Sequence, residues 1–148
     1  MQERKISEVR ESAQNYYANG DFYCSEAVVK SVLDGLNITY APEIIAAASG
    51  FPVGIGGAEC LCGAISGGIM AIGYVFGRTE PKSARVSKAM DLSKQLHELF
   101  VKRNKCTCCR VLTKGMTKGS AEHMAQCVRF TGEVAEDTFR LINENRHE

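Results

Sequence analysis

The cysteines are the residues of this 148-residue chain best suited to chemistry. A cysteine thiolate can bind a metal, attack a disulfide or pair with a second cysteine. The chain contains seven of them: Cys24, Cys60, Cys62, Cys106, Cys108, Cys109 and Cys127. Polar residues fill the N-terminal segment and no apolar signal segment is visible, so we expect a cytoplasmic protein whose thiols begin reduced. Cysteines at this density then indicate metal or thiol chemistry more than structural disulfides.

Two of the cysteines, Cys24 and Cys62, are predicted to lie where helices begin. On a regular helix Cys60 and Cys62 would point about 200° apart and could not share a site. A helix that begins between them removes this conflict. The amide dipoles at a helix N-terminus favour a thiolate, although each position would also suit a small buried thiol that only fills space.

A C-x-x-C pair follows at Cys106 and Cys109, with Cys108 between them. On a helix the pair would lie on one face, so it could bind a metal or form a disulfide. Arg110 stands where covalent c-type haem attachment requires histidine, so no haem is expected. Cys127 is predicted on the inner side of the last helix, where it could act or simply fill the core.

Glycines surround the central cysteines. Gly63 and Gly67 lie one turn apart in a predicted helix, so a neighbouring helix could pack closely there, and the same glycine-rich region, with Gly56 and Gly57, could admit a cofactor. The loop before Cys60 follows no strand and precedes no Gly-Lys-Ser/Thr, so it does not predict a phosphate-binding loop. No Ser–His–carboxylate grouping or H-E-x-x-H motif supports hydrolase chemistry.

The elements that position these residues have helical periodicity. Apolar residues recur at spacings of three and four, and no segment alternates like a strand. We therefore predict one all-α domain over residues 1–148, with five to seven helices and a buried, glycine-rich central helix from about Cys62 to Gly77. The other helices are predicted from Ser7 to Asn19, from Cys24 to Leu36, from Pro42 to before Gly50, from Pro81 to the Cys106 cluster, from Cys109 to Lys114, and from Ser120 onwards, with Met124 and Ile142 on the inner face.

Composition argues against two classes of partner. The formal net charge is only +1 and no basic face is visible, so nucleic-acid binding is not expected. The uncharged stretch from Cys60 to Gly77 approaches membrane-spanning length, but its glycines and the lack of a second span argue against membrane insertion. Glycine-rich helix faces could support a homodimer, which the sequence does not decide.

The segment Gly56-Gly57-Ala58-Glu59-Cys60-Leu61-Cys62-Gly63-Ala64-Ile65-Ser66-Gly67-Gly68 resembles the glycine-rich loop and the Cys-Gly-Ala-x-x-Gly helix start of the C_GCAxxG_C_C family of redox proteins. Cys24-Ser25-Glu26-Ala27-Val28 is similar to that family's first cysteine region. Cys109-Arg110-Val111-Leu112 resembles its third, and Cys127-Val128 its last. The resemblance extends from about Ile6 to Leu141.

The resemblance implies that four cysteines act as one set of metal ligands or redox thiols: Cys24, Cys62, Cys109 and Cys127. Three others look like additions to the pattern, as accessory ligands or a separate dithiol pair: Cys60, Cys106 and Cys108. A related domain in split-Soret cytochromes carries haem and an iron–sulfur cluster, and only the cluster could apply to a chain without C-x-x-C-His. The resemblance therefore implies an electron carrier, oxidoreductase or redox sensor with an iron–sulfur cluster and an unidentified redox partner protein.

Other interpretations of the cysteines stay open. Four buried thiolates would be costly without a compensating metal, which places the iron–sulfur cluster slightly first. A metal-free thiol–disulfide protein would use a helix-start thiolate to attack and a partner cysteine to resolve the mixed disulfide. Zinc on the thiolates would make a structural metal protein, and a helical interaction module would use its cysteines only as core residues.

Overall fold

A computed structural model describes residues 2–146 of the chain. In chain order its helices are α1 (Gln2–Ala18), α2 (Cys24–Gly35), α3 (Glu43–Ala47), α4 (Pro52–Ile55), α5 (Gly63–Phe76), α6 (Val86–Asn104), α7 (Cys109–Leu112) and α8 (Ala121–Asn145). Five of them have twelve residues or more, and three are segments of four or five residues. The described residues contain no strand, which confirms the predicted all-α class.

Helices α2, α5 and α8 form the centre of the fold. Helix α2 packs against α1, α5 and α8, and α5 also packs against α6 and α8. The first six residues of α5, from Gly63 to Gly68, are all buried, which confirms the predicted glycine-rich central helix. Gly67 faces the backbone of Ser25 in α2 so closely that a methyl group there would overlap it, so this glycine allows the two helices to approach.

The last helix, α8, supplies a long apolar face to this centre. Phe130, Val134, Phe139 and Ile142 are buried on it, as expected from their helical spacing. The prediction that Met124 also lies on the inner face is wrong, because its side chain is 37% exposed. The first turn of α8 projects beyond the core, and most of its residues are exposed.

Helix α6 begins at Val86 and not at Pro81 as predicted. The residues between them form turns, and Lys82 has a left-handed backbone with φ of +63°. A non-glycine residue in this conformation interrupts a right-handed helix. Beyond this turn the helix buries Leu92, Leu96 and Phe100.

The glycine-rich loop before Cys60 contains the short helix α4, but the backbone there is irregular. Val53, Gly54 and Ile55 have positive φ values, as do the two glycines that follow. Gly54 is the one position in this run that the packing restricts to glycine, because a methyl group would overlap the backbone of Glu59 and Cys60. The loop therefore folds back on the segment that carries the central cysteines.

Helix α5 includes most of the uncharged stretch whose length approaches that of a membrane span. It has only 14 residues, fewer than the roughly 20 that a transmembrane helix needs. Throughout residues 2–146, no helix combines the length and the apolar character required to cross a membrane.

Candidate redox site

Four cysteines, three in helices and one directly before a helix, lie around one cavity of about 60 Å³. We call them the motif cysteines: Cys24, Cys62, Cys109 and Cys127. Cys24 begins α2, Cys62 directly precedes α5, Cys109 begins α7, and Cys127 lies in the second turn of α8. The fold thus brings together the four cysteines that the resemblance groups as one set.

Two backbone hydrogen bonds align the segments that carry Cys62 and Cys109. The N–H of Cys62 donates to the carbonyl of Thr107 at 2.8 Å, and the N–H of Arg110 donates to the carbonyl of Glu59 at 2.9 Å. With the segments held in this register, the thiols of Cys62 and Cys109 are in hydrogen-bond contact.

The position of Cys24 depends on Gly63. A Cβ atom at residue 63 would lie 2.6 Å from the Cys24 Sγ and 3.0 Å from the carbonyl oxygen of Phe51. The missing side chain therefore makes the space that the Cys24 sulfur occupies. The start of α2 is fixed further by the buried Ser25 hydroxyl, which donates to the carbonyl of Ala48 at 2.8 Å.

Helix α8 places Cys127 through contacts with α7 and α1. The side-chain amide of Gln126 donates to the carbonyl of Leu112 at 2.8 Å, which ties α8 to α7. The hydroxyl of Tyr17, in α1, forms a hydrogen bond with the Cys127 thiol. Within α8, the Thr131 hydroxyl donates to the carbonyl of Cys127 at 2.7 Å.

Burial disfavours the thiolate form at three of the motif cysteines. It raises the pKa of Cys24 to about 12, with a further contribution from the charge on Cys127. The hydrogen bond with Cys109, followed by burial, raises the pKa of Cys62 well above its ordinary value. Burial also raises the pKa of Cys127, although the Tyr17 hydrogen bond opposes it. Without a compensating charge these three thiols stay protonated at neutral pH.

Cys109 is the exception among the motif cysteines. The hydrogen bond from Cys62 lowers the pKa of Cys109 to about 7, and the backbone N–H groups of Gly63 and of Cys109 itself act in the same direction. Hydrogen bonds to the charged form stabilise it, and here they outweigh the effect of burial. Among the motif cysteines, Cys109 is therefore the one whose thiolate form is favoured.

Charged residues at the rim of the cavity are paired with one another. Glu59 contacts Lys118 at 2.5 Å and Arg110 at 3.4 Å, and the hydrogen bonds from these two cations lower its pKa. His123 also lines the cavity, and its Nδ1 accepts a hydrogen bond from the backbone N–H of Gly119 at 3.0 Å. Because these charged side chains pair with one another at the rim, the surface inside the cavity is predominantly apolar.

Sequence reasoning missed several residues of this cavity. Tyr17, Lys118 and Phe130 line it together with the motif cysteines. Tyr17 belongs to α1, whose spacing indicated only a packing face. No local sequence signal connects these residues with the cysteines, because the chain brings them together only through tertiary contacts.

The remaining cysteines lie outside the cavity lining. We call them the accessory cysteines: Cys60, Cys106 and Cys108. Cys60 is exposed and the other two are half-buried. The Cys108 thiol is in hydrogen-bond contact with Cys60, which is the main reason that the pKa of Cys108 is raised to about 11.

The four glycines predicted to bind a cofactor occupy different surroundings. Gly63 lines the cavity, and Gly67 lies between α2 and α5. Gly56 and Gly57 belong to the exposed loop and do not line the cavity. Their role in cofactor binding stays a prediction.

The thiols of the site are not grouped for a single metal ion. Within residues 2–146, no three or more His, Cys, Asp and Glu side chains lie close enough to hold one. Four thiolates around one zinc ion would bring the sulfur atoms to roughly 3.8 Å from each other. An iron–sulfur cluster also takes four cysteine thiolates as ligands, and the motif cysteines on this cavity would be the residues to hold one.

Comparison with protein families gave one match, over residues 22–141, to a family described as "Putative redox-active protein (C_GCAxxG_C_C)". The matched range contains all four motif cysteines and well over half of the chain. Neither the curated proteins nor the solved structures gave a match. The chain, with its four motif cysteines around one cavity, belongs to the C_GCAxxG_C_C family of redox-active proteins.

Proposed function

We propose that this protein binds an iron–sulfur cluster through the motif cysteines and serves in electron transfer or redox sensing. The observation that carries the proposal is the convergence of four cysteines, three in helices and one directly before a helix, on one cavity. Four cysteine thiolates satisfy either of the common cluster types. A single disulfide would need only two of these residues, so it would leave the other two without a role.

The electrostatics of the cavity support a metal-loaded state. Three of the four thiols have raised pKa values, chiefly because burial or a neighbouring thiol disfavours their charge. Iron compensates the charge of its thiolate ligands, and metal binding releases their protons. Cluster assembly would thus remove the unfavourable interaction that otherwise keeps these buried thiols protonated.

Residues of the chain would hold the ligands and modulate them. When bound, a cluster supplies one-electron redox chemistry, and hydrogen bonds to its sulfurs help to set its potential. The Tyr17 hydroxyl is bonded to Cys127, and the backbone N–H of Gly63 to Cys109. The burial of Cys62, at 6% exposure, would limit the access of water to that ligand.

The deciding experiment is an absorption spectrum with iron and sulfide analysis on protein purified without oxygen. We expect a broad visible band together with iron and acid-labile sulfide. Serine variants of the motif cysteines should lose iron, whereas Cys106→Ser should retain it, because Cys106 lies outside the cavity lining. Protein without iron or sulfide would refute the proposal, and stoichiometric zinc without a chromophore would favour the zinc alternative.

A second candidate, metal-free thiol–disulfide exchange, is favoured by the contact between Cys62 and Cys109. The pKa of Cys109 is lowered to about 7, so its thiolate would be available at neutral pH to attack an external disulfide. Cys62 would then attack the mixed disulfide, forming a Cys62–Cys109 disulfide and releasing the second thiol. The test is a thiol titration of metal-free protein whose accessory cysteines are serine. An unchanged thiol count after mild oxidation eliminates this candidate.

A further inference from the structure

The accessory cysteines form a second group of thiols, separate from the cavity. The Cys108 thiol contacts both Cys60 and Cys106. The backbone N–H of Cys108 also donates to the Cys106 sulfur at 3.4 Å. None of the three lines the cavity of the motif cysteines. This part of the molecule therefore has thiol neighbours that the proposed cluster does not use.

The backbone holds Cys60 and Cys108 next to each other. The two hydrogen bonds that align residues 59–62 with residues 107–110 lie on either side of these cysteines. The ion pair between Glu59 and Arg110 joins the same two segments. A pair fixed in this way can form a disulfide without first losing the conformational freedom of two mobile loops.

Access from solvent differs between the three accessory cysteines. Cys60 is exposed, whereas Cys106 and Cys108 are half-buried. A disulfide that approaches from solution therefore meets Cys60 first, and Cys108 lies behind it within hydrogen-bond contact.

We propose that Cys60 and Cys108 form a second redox site that exchanges with low-molecular-weight disulfides at the protein surface. The Cys60 sulfur attacks one sulfur of the external disulfide, which breaks its S–S bond and leaves a mixed disulfide on Cys60 and one free thiol. The Cys108 sulfur then attacks the Cys60 sulfur and displaces the second thiol. Two protein thiols are oxidised to one disulfide, the external disulfide is reduced to two thiols, and these receive the two protons.

The test uses oxidised glutathione as the probe on the full-length protein. After reaction the free thiols are alkylated and the protein is digested with trypsin. One tryptic peptide, residues 31–78, contains Cys60 and Cys62, and another, residues 106–110, contains Cys106, Cys108 and Cys109. Mass spectrometry then measures the disulfide-linked pair of these peptides. All proteins tested carry Cys62→Ser, so that Cys60 is the only thiol of residues 31–78. In this background we expect the linked pair, also when Cys106→Ser is added, and its loss when Cys60→Ser or Cys108→Ser is added.

The serine variants also separate this site from the motif cysteines. In Cys108→Ser the reaction should stop at a glutathione adduct on the peptide of residues 31–78, because the resolving thiol is missing. Absence of the linked pair in the Cys62→Ser background, or its persistence there when Cys108→Ser is added, would overturn the proposal. Loss of the linked pair in Cys106→Ser would overturn the assignment of Cys108. Far-UV circular dichroism establishes that each variant is folded.

Discussion

Replacement of Gly63 by alanine is expected to disturb the position of Cys24. The new Cβ would lie 2.6 Å from the Cys24 Sγ, 3.0 Å from the Phe51 carbonyl oxygen and 3.3 Å from the Pro52 Cα. Optimal contacts between such atoms are about 3.5–4.0 Å, so the first distance is short by about 1 Å. The thiol can relieve it by rotating about χ1, but the backbone at Phe51 has to shift as well.

The size of the effect follows from two opposing contributions. Overpacking of a buried site costs about 1–3 kcal/mol. Alanine in place of a helical glycine returns roughly 0.5–1 kcal/mol, and less at the first position of a helix. We therefore expect Gly63→Ala to lower the free energy of unfolding by about 1–2 kcal/mol. Rotation of Cys24 away from the cavity should also reduce the iron content of the anaerobic protein.

Urea unfolding of reduced, chelator-treated protein measures the free energy, and Gly73→Ala is the matched control. Gly73 belongs to the same helix, is exposed, and has no neighbouring atom within 4 Å of the position that a methyl group would occupy. Its replacement should stabilise the protein by roughly 0.5–1 kcal/mol. The double variant with Cys24→Ala removes the closest contact, so the effect of Gly63→Ala should be smaller in that background by roughly 0.5–1.5 kcal/mol, a coupling typical of residues in contact.

Two results would refute this reasoning. If Gly63→Ala lowers stability equally with and without the Cys24 sulfur, the contact between them is not the cause. If Gly63→Ala is as stable as Gly73→Ala and keeps its full iron content, the glycine does not make the space for the thiol.

Two further perturbations test the charges of the site and those between α6 and α8. In reduced, metal-free protein whose accessory cysteines are serine, alkylation of Cys109 by iodoacetamide should reach half its maximal rate near pH 7, because the Cys62 hydrogen bond lowers its pKa to about 7. Cys62→Ala should move this midpoint to higher pH. Arg103→Ala should lower the free energy of unfolding in urea by about 1–3 kcal/mol, because Arg103 pairs with the largely buried carboxylates of Glu133, at 3.3 Å, and Asp137.

Each of these two predictions has an internal control. A labelling midpoint that does not move in Cys62→Ala would show that the hydrogen bond does not set the reactivity of Cys109. Arg129 also pairs with Glu133 at 3.3 Å, but the Arg129 side chain is half-exposed, and the two residues lie one turn apart in the same helix. Arg129→Ala should therefore change stability by about 0.5 kcal/mol or less, and an equal effect of the two arginine variants would contradict the proposed role of the Arg103 pairs.

The helices could be predicted from the sequence wherever burial follows a helical period. The spacing of apolar residues in α2 and the glycine-rich run of α5 both predicted buried elements. The start of α6 could not be predicted in this way, because a left-handed turn at Lys82 delays the helix beyond Pro81. Met124 was misplaced for a related reason, since the helical period continues into the part of α8 that projects beyond the core.

Less of the site than of the fold could be predicted from the sequence. The sequence indicated that Cys24 and Cys62 lie at two helix starts, but it contained no information on how far apart these helix starts would lie. The contact between Cys62 and Cys109 depends on backbone bonds between segments that are distant in the chain, and no local period predicts such a register. Only the resemblance grouped the four motif cysteines before their positions in the fold were known.

The adjacent residues Cys108 and Cys109 show how one segment can serve two thiol groups. Cys108 has an extended backbone and caps α7, whereas Cys109 is the first residue of that helix. Neighbouring side chains at such a junction point in different directions, so one thiol contacts Cys60 and the other contacts Cys62. Because the two groups share a backbone segment but no thiol, their chemistry should be separable. Cys24→Ser should lose iron but keep the exchange with glutathione, whereas Cys60→Ser should keep iron but lose this exchange.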